Sequence, residues 1–371
     1  MRLALTALVA LTAASAAAQD GVPQDGVPQD GVPQDGVSVT EGDAPEEAES
    51  STSAPIGPAL LYTRELTKHD LAQKLRDDPA SLGSISIGFA DRGRIINAVQ
   101  MPQDAAWIIE RPDFSYAVRE TVDALAQAFH SVRRQFPDSA PARLNHISAK
   151  DGGYLRPHRS HQSGRDADIG LFYKGDRFPP PGVPREKLID PARNWALLRA
   201  LITETDVQLI LVDRAIQSVL HRFALSIGED ATWLAQVFGG MVKHARSHRD
   251  HFHVRFYAPR SQELGRRLQP MLALLPGQNL TTYVVGAGNT LGQIAARYKT
   301  TVAAIRKANQ MKTESLLALG QHLIVPLRGA CTICPLPPPL AIPPRLLPPE
   351  PPASVAQSWV GGINPELSTA E

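Results

Sequence analysis

Histidine and aspartate crowd into two short stretches of this 371-residue chain. The first, Pro157–Leu171, reads P-H-R-S-H-Q-S-G-R-D-A-D-I-G-L and holds His158, His161 and Asp168. The second, far downstream, is His248-Arg249-Asp250-His251-Phe252-His253. Each stretch feeds an apolar, strand-like segment. Imidazole and carboxylate donors divided between two such segments suit a catalytic zinc ion, which takes three protein ligands and keeps a fourth position for water.

Periodicity says how the donors are presented. His251-Phe252-His253-Val254-Arg255-Phe256-Tyr257 alternates as a half-buried strand does. His251, His253 and Arg255 then share one face, and Phe252, Val254 and Phe256 the other. Both imidazoles enter the same space. His161 and Asp168 are separated by an odd offset, which a straight strand would send to opposite faces. A turn must intervene, and Ser163-Gly164 supplies it, because glycine adopts positive φ at no steric cost. Asp168-Ile169-Gly170-Leu171-Phe172 reads as a strand with Ile169 and Leu171 toward a core. Asp168, on the opposite face, can meet His161 and the distant pair.

H-x-x-G-x-x-x-D followed far downstream by H-x-H resembles the signature of the LAS group of zinc peptidases. The fuller pattern, H-x-x-H-Q-x-G-x-D-x-D with H-x-x-H-F-H-V-R, resembles the penicillin-insensitive murein endopeptidases in particular. The resemblance runs from about Leu82, through Ser84–Gly88 and Arg94–Asn97, to about Pro259. It implies an α+β domain with a small antiparallel sheet flanked by helices. It implies that His161, Asp168 and His253 hold one Zn2+ per chain, with His251 as general base. His158 and His248 match two further active-site histidines, placed to stabilise an oxyanion or protonate a leaving amine. The implied reaction is hydrolysis of the D-alanyl–meso-diaminopimelate cross-link of peptidoglycan. A carboxypeptidase or L,D-specific peptidase on the same zinc site is an alternative. So is a non-catalytic wall-binding protein that keeps the metal for structure.

Other chemistries lack their motifs. There is no G-x-S-x-G elbow for serine catalysis, no H-E-x-x-H helix, and no glycine-rich phosphate loop. Net charge is nearly neutral but unevenly spread: residues 19–56 carry nine acidic residues and no Lys or Arg. Setting these and Arg2 of the leader aside leaves 37 basic against 28 acidic residues in 57–371, about +9. A basic body favours an anionic polymer such as cell wall; no nucleic-acid-binding motif accompanies it.

Residues 1–18, with Arg2, an apolar Leu3–Leu11 run and Ser15-Ala16-Ala17-Ala18, read as a secretory signal. The expected product is exported and periplasmic, with no transmembrane anchor, since no later run approaches the ~18 apolar residues a span requires. Residues 19–56 repeat Q-D-G-V-P and continue Glu/Ser-rich, a composition that cannot bury a core. The catalytic domain is expected over 57–260. Within it, Val118, Val122, Leu125, Phe129 and Val132 predict a helix over Phe114–Arg134. Asp190-Pro191 opens another, lined by Trp195, Leu198, Leu201 and Ile202. Val207–Val212 reads as a buried strand, and Ala215–Ile227 and Ala231–Ser247 as helical.

Residues 261–278 read as a short helical connection. The next unit, 279–328, carries Tyr283-Val284-Val285, Gly288-Asn289-Thr290-Leu291, Ile294-Ala295, Tyr298, Asn309 and Gly320-Gln321-x-Leu323-x-Val325-Pro326. It resembles a βααβ LysM module, with Asn289 where an aspartate is usual. That resemblance implies binding to the N-acetylglucosamine-containing glycan of peptidoglycan. The proline-rich tail, 329–371, is expected to be extended and exposed. Its Cys331 and Cys334 should pair with each other in an exported protein. His130, His146, His221, His244 and His322 read as ordinary surface or core histidines. Asp166 and Asp250 are either partners that orient a site histidine or solvated loop carboxylates.

Overall fold

The computed structural model describes residues 62–180 and 182–350. The leader, the Q-D-G-V-P repeat and residues 351–371 lie outside them.

The centre is a six-stranded sheet. Its order is Trp107–Ile109, Ala142–His146, Asp166–Gly170, His251–Phe256, Val207–Val212, Val242–His244. The three inner pairings are antiparallel. Each outer pair is parallel, so the sheet is mixed rather than the antiparallel one expected. Parallel neighbours need a crossover, and helices provide both. Arg119–Gln135 spans one, and Arg214–Ser226 with Ala231–Gln236 spans the other. One sheet face is apolar: Ala167, Ile169, Phe252, Val254 and Phe256 are fully buried with Leu125, Phe129, Leu198 and Leu201 of the helices. The opposite face carries the polar site.

The sequence-predicted elements recur with shifted ends. The first long helix begins at Arg119, because Pro112–Phe114 forms a 3-10 turn and Tyr116–Ala117 pairs with Val99–Gln100. Asp190 caps Pro191–Glu204 by accepting from the Arg193 amide, with proline at the first helical position as expected. The helix expected over Ala231–Ser247 ends at Gln236. A π-turn over Val237–Met241 follows, and Val242–His244 joins the sheet edge. Gly239 and Gly240 weaken helix there by about 1 kcal/mol each relative to alanine, and Val242 gains a buried place beside Ile210.

The expected connection is part of the body. Pro259–Leu268 is a helix whose Leu264 and Leu268, with Leu272, complete a second core against Leu71, Leu75, Ile85 and Ile87. It lies close enough that a Cβ on Gly265 would fall 1.7 Å from the Ser86 carbonyl oxygen.

The C-terminal unit pairs Leu280–Val284 with His322–Pro326 antiparallel around helices Leu291–Arg297 and Val302–Ala308. It has its own core of Ile294, Ile305, Leu323 and Val325. Asn289 accepts from Tyr283 Oη at 2.6 Å and from the Gly286 amide at 2.8 Å, closing the first turn. Cys331 and Cys334 form a disulfide. The tail beyond has no regular structure to residue 350, yet it touches the body instead of being exposed throughout. Trp233 Nε1 donates to the Leu346 carbonyl, Arg345 pairs with Asp206, and Leu346 packs on the main core.

Candidate metal centre

Three donor atoms converge on the polar face of the sheet. His161 Nε2 lies 3.1 Å from Asp168 Oδ1, His253 Nδ1 lies 3.0 Å from the same oxygen, and the two nitrogens are 3.1 Å apart. The folding that brings them together is local and legible. Asp168 and His253 are direct partners in the antiparallel pair Asp166–Gly170 and His251–Phe256. His161 approaches from the loop before that strand, itself at φ 65°, with Gly164 at φ 74° completing the turn. A Cβ at Gly164 would meet Ile95 Cδ1 at 2.7 Å, so the turn requires glycine for space as well as for φ.

Each ligand candidate is held from behind. His161 Nδ1 donates to the Ile147 carbonyl at 2.7 Å, which leaves its Nε2 as a lone-pair donor aimed at the cluster. The Ser148 hydroxyl holds the His161 carbonyl at 2.5 Å. Asp166, fully buried, accepts from Arg255 Nε at 2.6 Å and from the His161 amide at 3.2 Å. Its Oδ1 also lies 3.4 Å from His253 Nε2, which turns His253 Nδ1 toward the cluster. Asp166 is therefore an orienting partner rather than a solvated carboxylate.

Electrostatics agree with a cation's place. Burial would raise the Asp168 carboxyl, but the imidazoles of His161 and His253 outweigh it and hold it well below the usual carboxylate range. Burial likewise opposes the Asp166 carboxyl, and the Arg255 guanidinium and His253 keep it low. On His253 burial favours the neutral ring, yet Asp166 and Asp168 raise its pKa to about 10. A cation among these atoms would displace that proton.

The donor set fits zinc: two neutral-capable imidazoles and one carboxylate, buried and oriented from behind. Tetrahedral ligands at ~2.0–2.1 Å from zinc stand about 3.3 Å apart, close to the 3.0–3.1 Å seen here.

The remaining sequence-predicted residues surround this trio. His251 Nε2 is 3.7 Å from Asp168 Oδ1, and its Nδ1 is held by Asp250 Oδ1 at 2.7 Å. That hydrogen bond, more than anything else, lowers the Asp250 carboxyl. Asp250 thus fixes the His251 tautomer, with the Nε2 lone pair facing the cluster. His158 Nδ1 lies 3.5 Å from Asp168 Oδ2. His248 packs tilted against His251 and edge-on against His253, ring centres 4.8 and 5.5 Å away, with Nδ1 at 3.0 Å from Ser247 Oγ. Burial lowers His158 to about 4 and His248 to about 3, helped by the neighbouring imidazoles.

Two histidines read as unconnected with the site belong near it. His146 ends the strand beside Asp166–Gly170, directly across from Asp168, with its ring centre 5.0 Å from that of His158. His322 of the C-terminal unit stacks on Tyr154 at 4.4 Å and lies 3.4 Å from Nε2 of Gln162, the residue after His161. No local motif marks either, because their placement depends on which strand and which unit lie alongside. Of the others, His130 pairs with Asp104, His244 accepts from the Arg214 amide, and His221 packs against Phe238.

Among the described residues no helix is long and apolar enough to cross a membrane. No curated protein matches the chain. Residues 283–326 match the LysM domain family, which identifies the C-terminal unit as a module for binding peptidoglycan or related glycan.

Proposed function

We propose that this chain is a zinc-dependent endopeptidase of peptidoglycan that hydrolyses D-alanyl–meso-diaminopimelate cross-links while its LysM domain holds the glycan. One observation carries the reading. His161 Nε2, Asp168 Oδ1 and His253 Nδ1 meet within 3.1 Å, beside an imidazole whose free nitrogen is aimed at them. The resemblance of both histidine clusters to the penicillin-insensitive murein endopeptidases supports it. So does a LysM domain on the same chain.

His161, Asp168 and His253 would hold the zinc. When bound, zinc supplies Lewis acidity, which polarises a carbonyl and brings the pKa of water toward ~7. His251 acts as general base: Asp250 keeps the proton on Nδ1, so Nε2 is free to take one from the attacking water. His158, beside Asp168, and His248, beside His253, act as N–H donors to the developing oxyanion or the leaving amine. Asp166 and Arg255 keep His253 from turning away. Exported enzyme acting in the wall follows from the same reading.

The test is digestion of purified cross-linked muropeptide dimers by the full-length protein, with products identified by mass. Conversion to monomers, blocked by a strong chelator and restored by zinc, is expected. Release of free D-alanine alone would make it a carboxypeptidase. No product with zinc present would leave only wall binding.

A further inference from the structure

His146 takes no part in the reaction proposed above, yet it lies beside the candidate ligands. The strand Ala142–His146 shifts register between Leu144 and His146, and the shift seats His146 opposite Asp168. Its ring packs 5.0 Å from His158, whose own ring is 4.5 Å from His161. The Asp168 carboxylate divides its oxygens: Oδ1 faces His161 and His253, while Oδ2 faces His158 Nδ1 at 3.5 Å. Donor atoms of His146, His158 and Asp168 all lie within 4.8 Å of one another.

We propose that His146, His158 and Oδ2 of Asp168 form a second divalent-cation site that shares the Asp168 carboxylate with the first. The inference rests on reading His161, Asp168 and His253 as the zinc ligands. Two imidazoles and a carboxylate are again a zinc-type donor set. A carboxylate that bridges two ions sets them ~3.5–4 Å apart, a spacing that two-metal sites use. Two features make the second site the weaker one. His158 Nδ1 stands 3.5 Å from Asp168 Oδ2, against 3.0–3.1 Å between the donors of the first, and His146 and His158 are only half-buried. Half-burial also leaves the ion open to solvent and to exchange. Occupation has a functional consequence, because it takes His158 away from its part in the reaction. Zinc beyond one equivalent therefore slows hydrolysis.

Equilibrium dialysis of the full-length protein against zinc, with metal content by mass spectrometry, tests this. Two zinc ions per chain are expected, one tight and one weaker. His146→Ala and His146→Asn should keep the tight ion, which also certifies that the site is folded. Both variants should weaken the second by at least ~10-fold. Cobalt(II) in place of zinc should show a magnetically coupled pair in the wild type and an isolated ion in either variant. Inhibition by excess zinc should disappear with the second ion. A single ion in wild type and variants alike, with uncoupled cobalt, overturns the second site and leaves the first intact. No bound zinc at all would overturn the zinc reading itself.

Discussion

Replacing His251 by alanine should separate proton transfer from metal binding. The imidazole stands just outside the ligand trio: Nε2 is 3.7 Å from Asp168 Oδ1, and the side chain is 18% exposed, against 0–3% for His161, Asp168 and His253. Its loss removes the proton acceptor, which contributes typically ~10²–10⁴-fold, or about 2.7–5.4 kcal/mol of barrier. It disturbs none of the supports behind the ligands, which are the Ile147 carbonyl, Asp166 and Arg255. His161→Ala differs on every point. It empties a fully buried ring position, strands the Ile147 carbonyl at a cost of about 1–3 kcal/mol, and removes a ligand.

Thermal unfolding distinguishes the two without relying on activity. A ligand at 1,000 times its Kd stabilises the fold by ≈ 4.1 kcal/mol. In a domain of 150–250 residues this raises Tm by roughly 8–16 °C. That rise on zinc addition should persist in His251→Ala, vanish in Asp168→Ala, and shrink in His161→Ala to what the weaker second ion supplies. Turnover on muropeptide dimers should be lost in all three. If His251→Ala forfeits the zinc-dependent rise as completely as Asp168→Ala, His251 is a ligand and the division of roles is wrong.

Asp250→Asn should cut turnover about 10–100-fold by loosening the His251 tautomer, with zinc content unchanged in metal analysis. A strong chelator should abolish hydrolysis while leaving sedimentation with insoluble sacculi unaffected, since no LysM residue is a candidate ligand of the first site. A chain ending at Gln278 should cleave soluble dimers at the full-length rate but slow on sacculi, and the 279–328 fragment should sediment with sacculi and hydrolyse nothing. A chain ending at residue 260 should not fold, as judged by its melting curve. It loses buried Leu264, Leu268 and Leu272, worth about 1.5–3 kcal/mol each against a typical total stability of ~5–15 kcal/mol.

What the sequence disclosed was whatever depends on neighbours along the chain. Alternation placed His251, His253 and Arg255 on one strand face, and the structure keeps them there. The Asp190-Pro191 cap and the apolar spacing of Val122, Leu125 and Phe129 located two helices. What stayed hidden depends on partners far away. Val242–His244 became a strand because Val207–Val212 offered an edge, which outweighed the local helical pattern. Residues 261–278 read as a short helical connection, and nothing local says what such a helix packs against. The answer, the second core around Leu71 and Ile85, comes from the other end of the domain. Proline-rich composition says nothing of Trp233 and Asp206 waiting to hold the tail.

The placement of His322 changes what the LysM domain can do for catalysis. A module on a free linker acts by raising local concentration, whichever way it points. Here the unit rests on the body near the site: His322 stacks on Tyr154, and Gln162 beside it is one residue from His161. Arg94, almost wholly buried, donates to Gln278 at 2.7 Å at the point where the two units join. The LysM unit and the candidate metal centre are therefore neighbours in the fold. On the proposed function, a glycan strand held by LysM would present only some of its cross-links to His161, Asp168 and His253. Tethering of that kind would then select among bonds as well as concentrate the enzyme on the polymer. Lengthening the 276–279 segment should then leave sedimentation with sacculi intact while altering which cross-links are cut first.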